Sequence, residues 1–186
     1  MATASILFPN WVSYSATTAA GSRHWKSIGL WTACASVSAG IHGHECHPFP
    51  RDEMCGAGGD EAQFFCSTWR AIGLVASLAI AGHIATVVAF LVVLAGGKAK
   101  RQSGWKLLGA LMLLLAVAEF CVIGAVAYLY DNDDEFMVPG WYLDKSWYLG
   151  GVGATVTTLT ALGLAFSAVV LPPELGYQLL KDSMVA

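Results

Sequence analysis

Residues 71–95 read AIGLVASLAIAGHIATVVAFLVVLA, without one Asp, Glu, Lys or Arg. Two later stretches repeat the pattern: residues 107–130, whose single charged residue is Glu119, and residues 147–171, which have none. Wound as helices at ~1.5 Å per residue, each crosses a hydrocarbon core of ~30 Å with length to spare for tilt. Lipid offers backbone amides no partner, and alternating ten-residue strands are missing, so helices are expected and an outer-membrane barrel is not. Composition agrees, at 56% hydrophobic and 12% charged residues, against ~25% charged in a soluble domain. A net charge of −3 gives no electrostatic reason for nucleic-acid binding. The expectation is a mainly α membrane protein whose bilayer partner is lipid, with spans Ala71–Ala95, Leu107–Tyr130 and Trp147–Leu171.

Flanking residues set the orientation. Trp69, Trp105, Tyr128, Tyr130, Trp147 and Tyr148 stand near span ends, where amphipathic rings prefer the headgroup level. Residues 96–106 carry Lys98, Lys100, Arg101 and Lys106 and no acid, which predicts a cytoplasmic loop. Residues 131–146 carry five acids against Lys145 and are placed outside, as is the segment 9–70; the tail 172–186 returns inside. A polar segment of that length needs a way across. Residues 1–8 read either as the remnant of a truncated first helix, its last turn Ala4–Phe8, or as flank carried across by the second segment.

Cys34, Cys46, Cys55 and Cys66 all fall in the segment assigned to the outside, whereas Cys121 lies within a span. Four thiols in an oxidising compartment allow three pairings. Nearest-neighbour pairing, Cys34–Cys46 and Cys55–Cys66, closes the shortest loops and is the one expected. Residues 11–15 and 28–34 have strand-like composition, and residues 42–59, rich in Gly, Pro and charge, read as loop. Trp11 and Trp31 are expected to pack a small sheet onto the membrane surface.

Trp11, then Gly29-Leu30-Trp31-Thr32-Ala33-Cys34, then Cys46, then Arg70 at the start of the next span resembles the claudin and peripheral myelin protein superfamily. The resemblance implies a left-handed bundle of four transmembrane helices beneath an extracellular antiparallel sheet pinned by the Cys34–Cys46 pair. It also implies a non-enzymatic plasma-membrane protein that organises membrane domains or cell-surface contacts, assembling with itself or with other membrane proteins. The extra pair Cys55 and Cys66, the stretches Tyr128–Asp131 and Gly140–Asp144, and the ending from Pro172 look more like fungal claudin-like members, including those linked to cortical membrane domains. Some superfamily members instead regulate channels or calcium influx, which is a second implied role.

Two polar groups stand within the spans. His83 lies 12 residues from Ala71 and Glu119 lies 11 residues from Tyr130, about 18 and 17 Å from the outer ends. Ionisable groups at one depth on consecutive helices can pair if both face the bundle. A packing role is expected, and a small ion or proton transporter using His83 and Glu119 is the sharper alternative. Small residues mark expected helix contacts at two four-residue ladders, Gly73, Ser77, Ala81, Ala85 and Gly153, Thr157, Ala161, Ala165.

His42, His44 and His47 around Cys46 form the most metal-like run, but a disulfide would remove the thiolate, so no metal site is expected. The acidic run 131–135 lacks the glycine and spaced glutamate of an EF-hand. No phosphate-binding Gly-Lys-Ser/Thr, Gly-x-Ser-x-Gly or His-Glu-x-x-His pattern occurs, so neither an enzyme nor a cofactor is expected.

Overall fold

The computed structural model describes residues 2–17, 23–36, 44–57, 59–96 and 98–170. A short helix α1 (Ala2–Leu7) leads into strands β1 (Val12–Thr17), β2 (Arg23–Ile28), β3 (Thr32–Ser36) and β4 (His44–Pro48). Then come α2 (Asp52–Ala57), α3 (Gly59–Ala95), α4 (Lys98–Asn132), a 3-10 turn Asp134–Phe136, β5 (Trp141–Leu143) and α5 (Lys145–Val170). Helices α3, α4 and α5 are long and apolar enough to cross a membrane, which makes this a membrane protein of mainly helical class. Their outer faces present Leu74, Leu78, Ile84, Leu114, Leu159 and Phe166, side chains that water would not tolerate as one continuous surface.

Two helices start well before their apolar stretches. The segment 59–70, expected to be part of an outer loop, is the first three turns of α3, opened by Asp60 and Glu61, whose charges suit a helix N-terminus. The basic segment 98–106, expected as loop, is the start of α4. Hydropathy reports where lipid begins, whereas a helix continues into water as long as its backbone bonds hold. The tail 172–186 lies outside the described residues.

The sheet is antiparallel throughout, in the order β4-β3-β2-β1-β5. Residues 42–59, expected as loop, supply β4 as well as α2. His44-Glu45-Cys46-His47-Pro48 has little strand propensity, and its pairing is carried by tertiary context: Cys34 faces Cys46 in register and the two are bonded. Strand β5 comes from the acidic connection between α4 and α5 and zips onto β1, Val12 opposite Leu143. It follows a turn at Gly140, whose φ of +118° few residues other than glycine adopt. One sheet therefore ties together chain segments more than a hundred residues apart.

The core lies where the sheet meets the helix ends. Trp11, Val12, Ile28, Leu30, Phe49, Phe65, Trp69, Val126 and Phe136 are buried there in one cluster. The second disulfide, Cys55–Cys66, ties α2 to α3. Opening Cys34–Cys46, whose partners are 12 residues apart, is expected to destabilise the sheet by about 3 kcal/mol through restored loop entropy. Thermal melts of Cys34→Ser/Cys46→Ser against the native protein measure it.

Candidate functional site

The Trp-Gly-Leu-Trp-Cys residues occupy the hinge between sheet and helices. Gly29 has no room for a side chain, since a Cβ there would lie 2.6 Å from the Pro9 Cα and 3.0 Å from the Thr32 carbonyl oxygen. That close approach lets the chain turn from β2 into β3 and send Leu30 inward. Trp11 is buried, and its Nε1 donates to the Ser5 carbonyl at 2.7 Å, joining sheet to α1. Trp31 differs: it is 45% exposed and its ring lies over Gly73 of α3. So Trp11 is a core residue within the protein, and only Trp31 presents a face outward. Arg70 stands just before the apolar stretch of α3, inside the helix, and pairs with Asp52 of α2.

Asp144, which sequence reasoning passed over as one acid among five, fastens the ends of β1 and α5. Its Oδ2 accepts from Ser13 Oγ at 2.6 Å and Asn10 Nδ2 at 3.3 Å, and its Oδ1 from the Lys145 amide at 2.7 Å. Partial burial pushes this carboxyl up. The bonds from Ser13, the Lys145 amide and Asn10, with the Lys145 charge, outweigh that and hold it below its ordinary 3.8. The resulting stabilisation is complete above the ordinary value and fades as pH falls through the lower folded one. The melting-temperature gap between native protein and Asp144→Asn is therefore expected to be full at about pH 7 and to narrow as pH falls below the carboxyl's ordinary value.

Deep in the helices, His83 Nε2 and Glu119 Oε1 stand 2.8 Å apart, their side chains 26% and 10% exposed. The contact joins α3 to α4. Glu119 Oε2 is buried and has no hydrogen-bond partner among the described residues. Glu119 also lines a small cavity roofed by Ser5 and Ile6 of α1 and walled by Ala76, Ala79 and Gly150.

The two small-residue ladders differ in what they face. Gly73 is buried, but Ser77, Ala81 and Ala85 face outward and do not seal the bundle within this chain. Steps of four residues turn by about 40° beyond a full circle, so a ladder drifts off the contact face. The inner face of α3 instead follows Phe65, Trp69, Ile72, Ala76 and Ala79. Gly82, not in the ladder, meets α4, since a Cβ there would lie 2.5 Å from Leu115. On α5, Thr157 and Ala161 are buried, Gly153 is half-buried and Ala165 is exposed.

Among the metal-like histidines, His42 and the His44 side chain lie outside the described residues, and His47 Nε2 sits 3.2 Å from Glu45 Oε1. Cys46 is in a disulfide. Among the described residues no group of three or more His, Cys, Asp or Glu is placed to hold a metal ion. The acidic run borders an open cleft between the start of α3 and the end of α4, lined by Asp60, Glu61 and Asp133 to Glu135. Burial raises Asp133, its bond from the Glu135 amide opposes this, and the charges of Glu135, Asp134 and Glu61 add to the rise. No protein-family model matches the chain, and no curated protein matches it.

Proposed function

We propose that this is a claudin-like, non-enzymatic, multi-pass plasma-membrane protein that organises membrane domains or cell-surface contacts through lateral assembly and its disulfide-pinned cap. The observation that carries the reading is the cap itself: five strands from both ends of the chain, one disulfide across them, and an aromatic core fixing them to the helix ends. In this reading the cap is extracellular, the basic start of α4 is cytosolic, and Trp31, Cys34, Cys46 and Arg70 shape the displayed surface. A rigid cap on lipid-facing helices suits display and assembly. Its sheet edges are blunt, since β5 has three residues and β4 ends on Pro48, so neighbours meet through side chains and helices rather than by adding strands. The outward part of the Gly73 ladder, Ser77, Ala81 and Ala85, offers a small-residue face for such helix contacts.

The His83–Glu119 contact favours one second reading, a proton- or ion-coupled transporter. Vesicle flux separates the two: transport requires a pH-dependent flux that His83→Leu abolishes, and the organiser reading expects none. The primary test is the tagged protein in living cells, with cross-linking. Patchy surface fluorescence and detergent-stable oligomers weakened by Ala81→Leu are expected. Uniform fluorescence with a monomer, or stoichiometric capture by one large channel, would replace the organiser with another role.

A further inference from the structure

Between α4 and α5, at the end away from the cap, the packed helices leave a groove on their outer surface. Its α4 wall is Lys106, Gly109, Ala110 and Leu113, which stand at i, i+3, i+4 and i+7 and so share one helix face. Its α5 wall includes Ala161 and Ala165, one turn apart. Small side chains are the cause. A Cβ added at Gly109 would meet nothing within 4 Å, and Ala110 and Ala165 are exposed, so the space above these positions stays open. The groove has a volume of about 300 Å³, at the lower end of the range for small-molecule sites.

Polarity changes along its length. Lys106 is the last residue before the apolar stretch that begins at Leu107, which puts its ammonium at headgroup level, whereas Gly109 to Leu113 lie at the level of hydrocarbon. That ammonium is exposed and has no ion-pair or hydrogen-bond partner among the described residues. Beside it, Trp105 is held edge-on against Phe90 of α3, ring centroids 5.7 Å apart, and its indole N–H has no acceptor among the described residues. One end of the groove therefore offers a positive charge and two kinds of donor, and the rest offers apolar wall. Lys98, Lys100 and Arg101, with no acid in residues 96–106, make the same level positive. The complementary occupant has an anionic head rich in acceptor oxygens and an apolar tail. A helix from a second copy fits less well: copies share one orientation in a membrane, so its own basic stretch would arrive at the same level and set cation against cation. A zwitterionic lipid brings a phosphate but also an ammonium of its own, and gains no net attraction from the basic stretch.

We propose that this groove is a site for one anionic phospholipid, with its phosphate on Lys106 and Trp105 and an acyl chain lying along Gly109, Ala110 and Ala165. The site rests on the membrane reading for its level, and its leaflet, the inner one, rests on the proposed topology; neither needs the organiser role. A chain carrying such a site gathers in anionic regions of that leaflet.

The test uses the full chain in mixed micelles holding equal amounts of phosphatidylglycerol and phosphatidylcholine, and native mass spectrometry counts the lipids retained. One phosphatidylglycerol per chain is expected, in preference to phosphatidylcholine. Lys106→Gln should weaken retention about fivefold, the share of one cation at a membrane surface. Lys106→Arg should keep it, and Lys26→Gln on the cap should leave it unchanged. Gly109→Phe, which fills the groove, should abolish retention; if that variant does not fold, Ala165→Phe on the opposite wall serves in its place. Equal retention of the two lipids, full retention by Lys106→Gln, or binding that survives the filled groove overturns the proposal. So does an oligomer that Gly109→Phe splits into monomers with lipid retention unchanged. A protein that holds the lipid yet shows uniform surface fluorescence would sink the organiser reading and leave this one standing.

Discussion

Trp69→Ala is expected to lower stability by about 3–5 kcal/mol, the range for deleting a large buried aromatic. Trp69 is fully buried and stands with its ring centroid 5.4 Å from Phe49, 5.5 Å from Phe65 and 6.4 Å from Phe136. These rings come from the segment after β4, from α3 itself and from the turn after α4, so one side chain joins three parts of the chain. Its Nε1 also donates to the Gly29 carbonyl at 3.3 Å, and removal leaves that buried acceptor without its bond. The loss should be confined to the cap: near-UV circular dichroism and protease resistance of residues 9–57 fall, while far-UV helix signal stays. Trp31→Ala, at a half-exposed ring, should cost at most about half as much. Equal effects from the two variants would mean that the aromatic core does not hold the cap.

His83→Leu is expected to cost about 3 kcal/mol, and His83→Leu/Glu119→Leu less than about 1 kcal/mol. The inequality follows from what each change leaves behind. A hydrogen bond between membrane helices is worth only about 0.6 kcal/mol on average, so the contact itself contributes little. Removing His83 alone strands a carboxyl whose other oxygen is already unpartnered, whereas removing both leaves apolar side chains on facing helices. Unfolding titrations in mixed micelles measure the two differences. A double variant as unstable as the single would show that the pair is held in place for some purpose beyond satisfying its own polarity.

Hydropathy and the two polar depths were readable because lipid imposes a simple rule on composition. Residues 71–95 declared a span by themselves, and counting 1.5 Å steps put His83 and Glu119 at one level. The helix starts at Gly59 and Lys98 were not readable that way, because those turns are polar and a polar sequence suits both loop and helix. Strand β5 was hidden in an acidic connection. Trp141-Tyr142-Leu143 is too short to show a period, and its strand state comes from pairing with β1, far away in the chain. Asp144 gave no signal either, since its role depends on Asn10 and Ser13 arriving beside it. The outer part of the Gly73 ladder leaves the contact face of α3 for a geometrical reason: a four-residue repeat and a helix face are not the same line.

In the proposed topology α3, α4 and α5 cross the bilayer with the cap on the outer side and the basic start of α4 in the cytosol. Cysteine accessibility in intact cells tests it most directly, using Cys121→Ser as background and adding either Asn132→Cys, at the cap end of α4, or Lys100→Cys, at the other. A maleimide that cannot cross membranes should label Asn132→Cys in intact cells and should reach Lys100→Cys only after permeabilisation. Labelling of Lys100→Cys in intact cells, with Asn132→Cys protected, would contradict the orientation; labelling of both would contradict the crossing by α4.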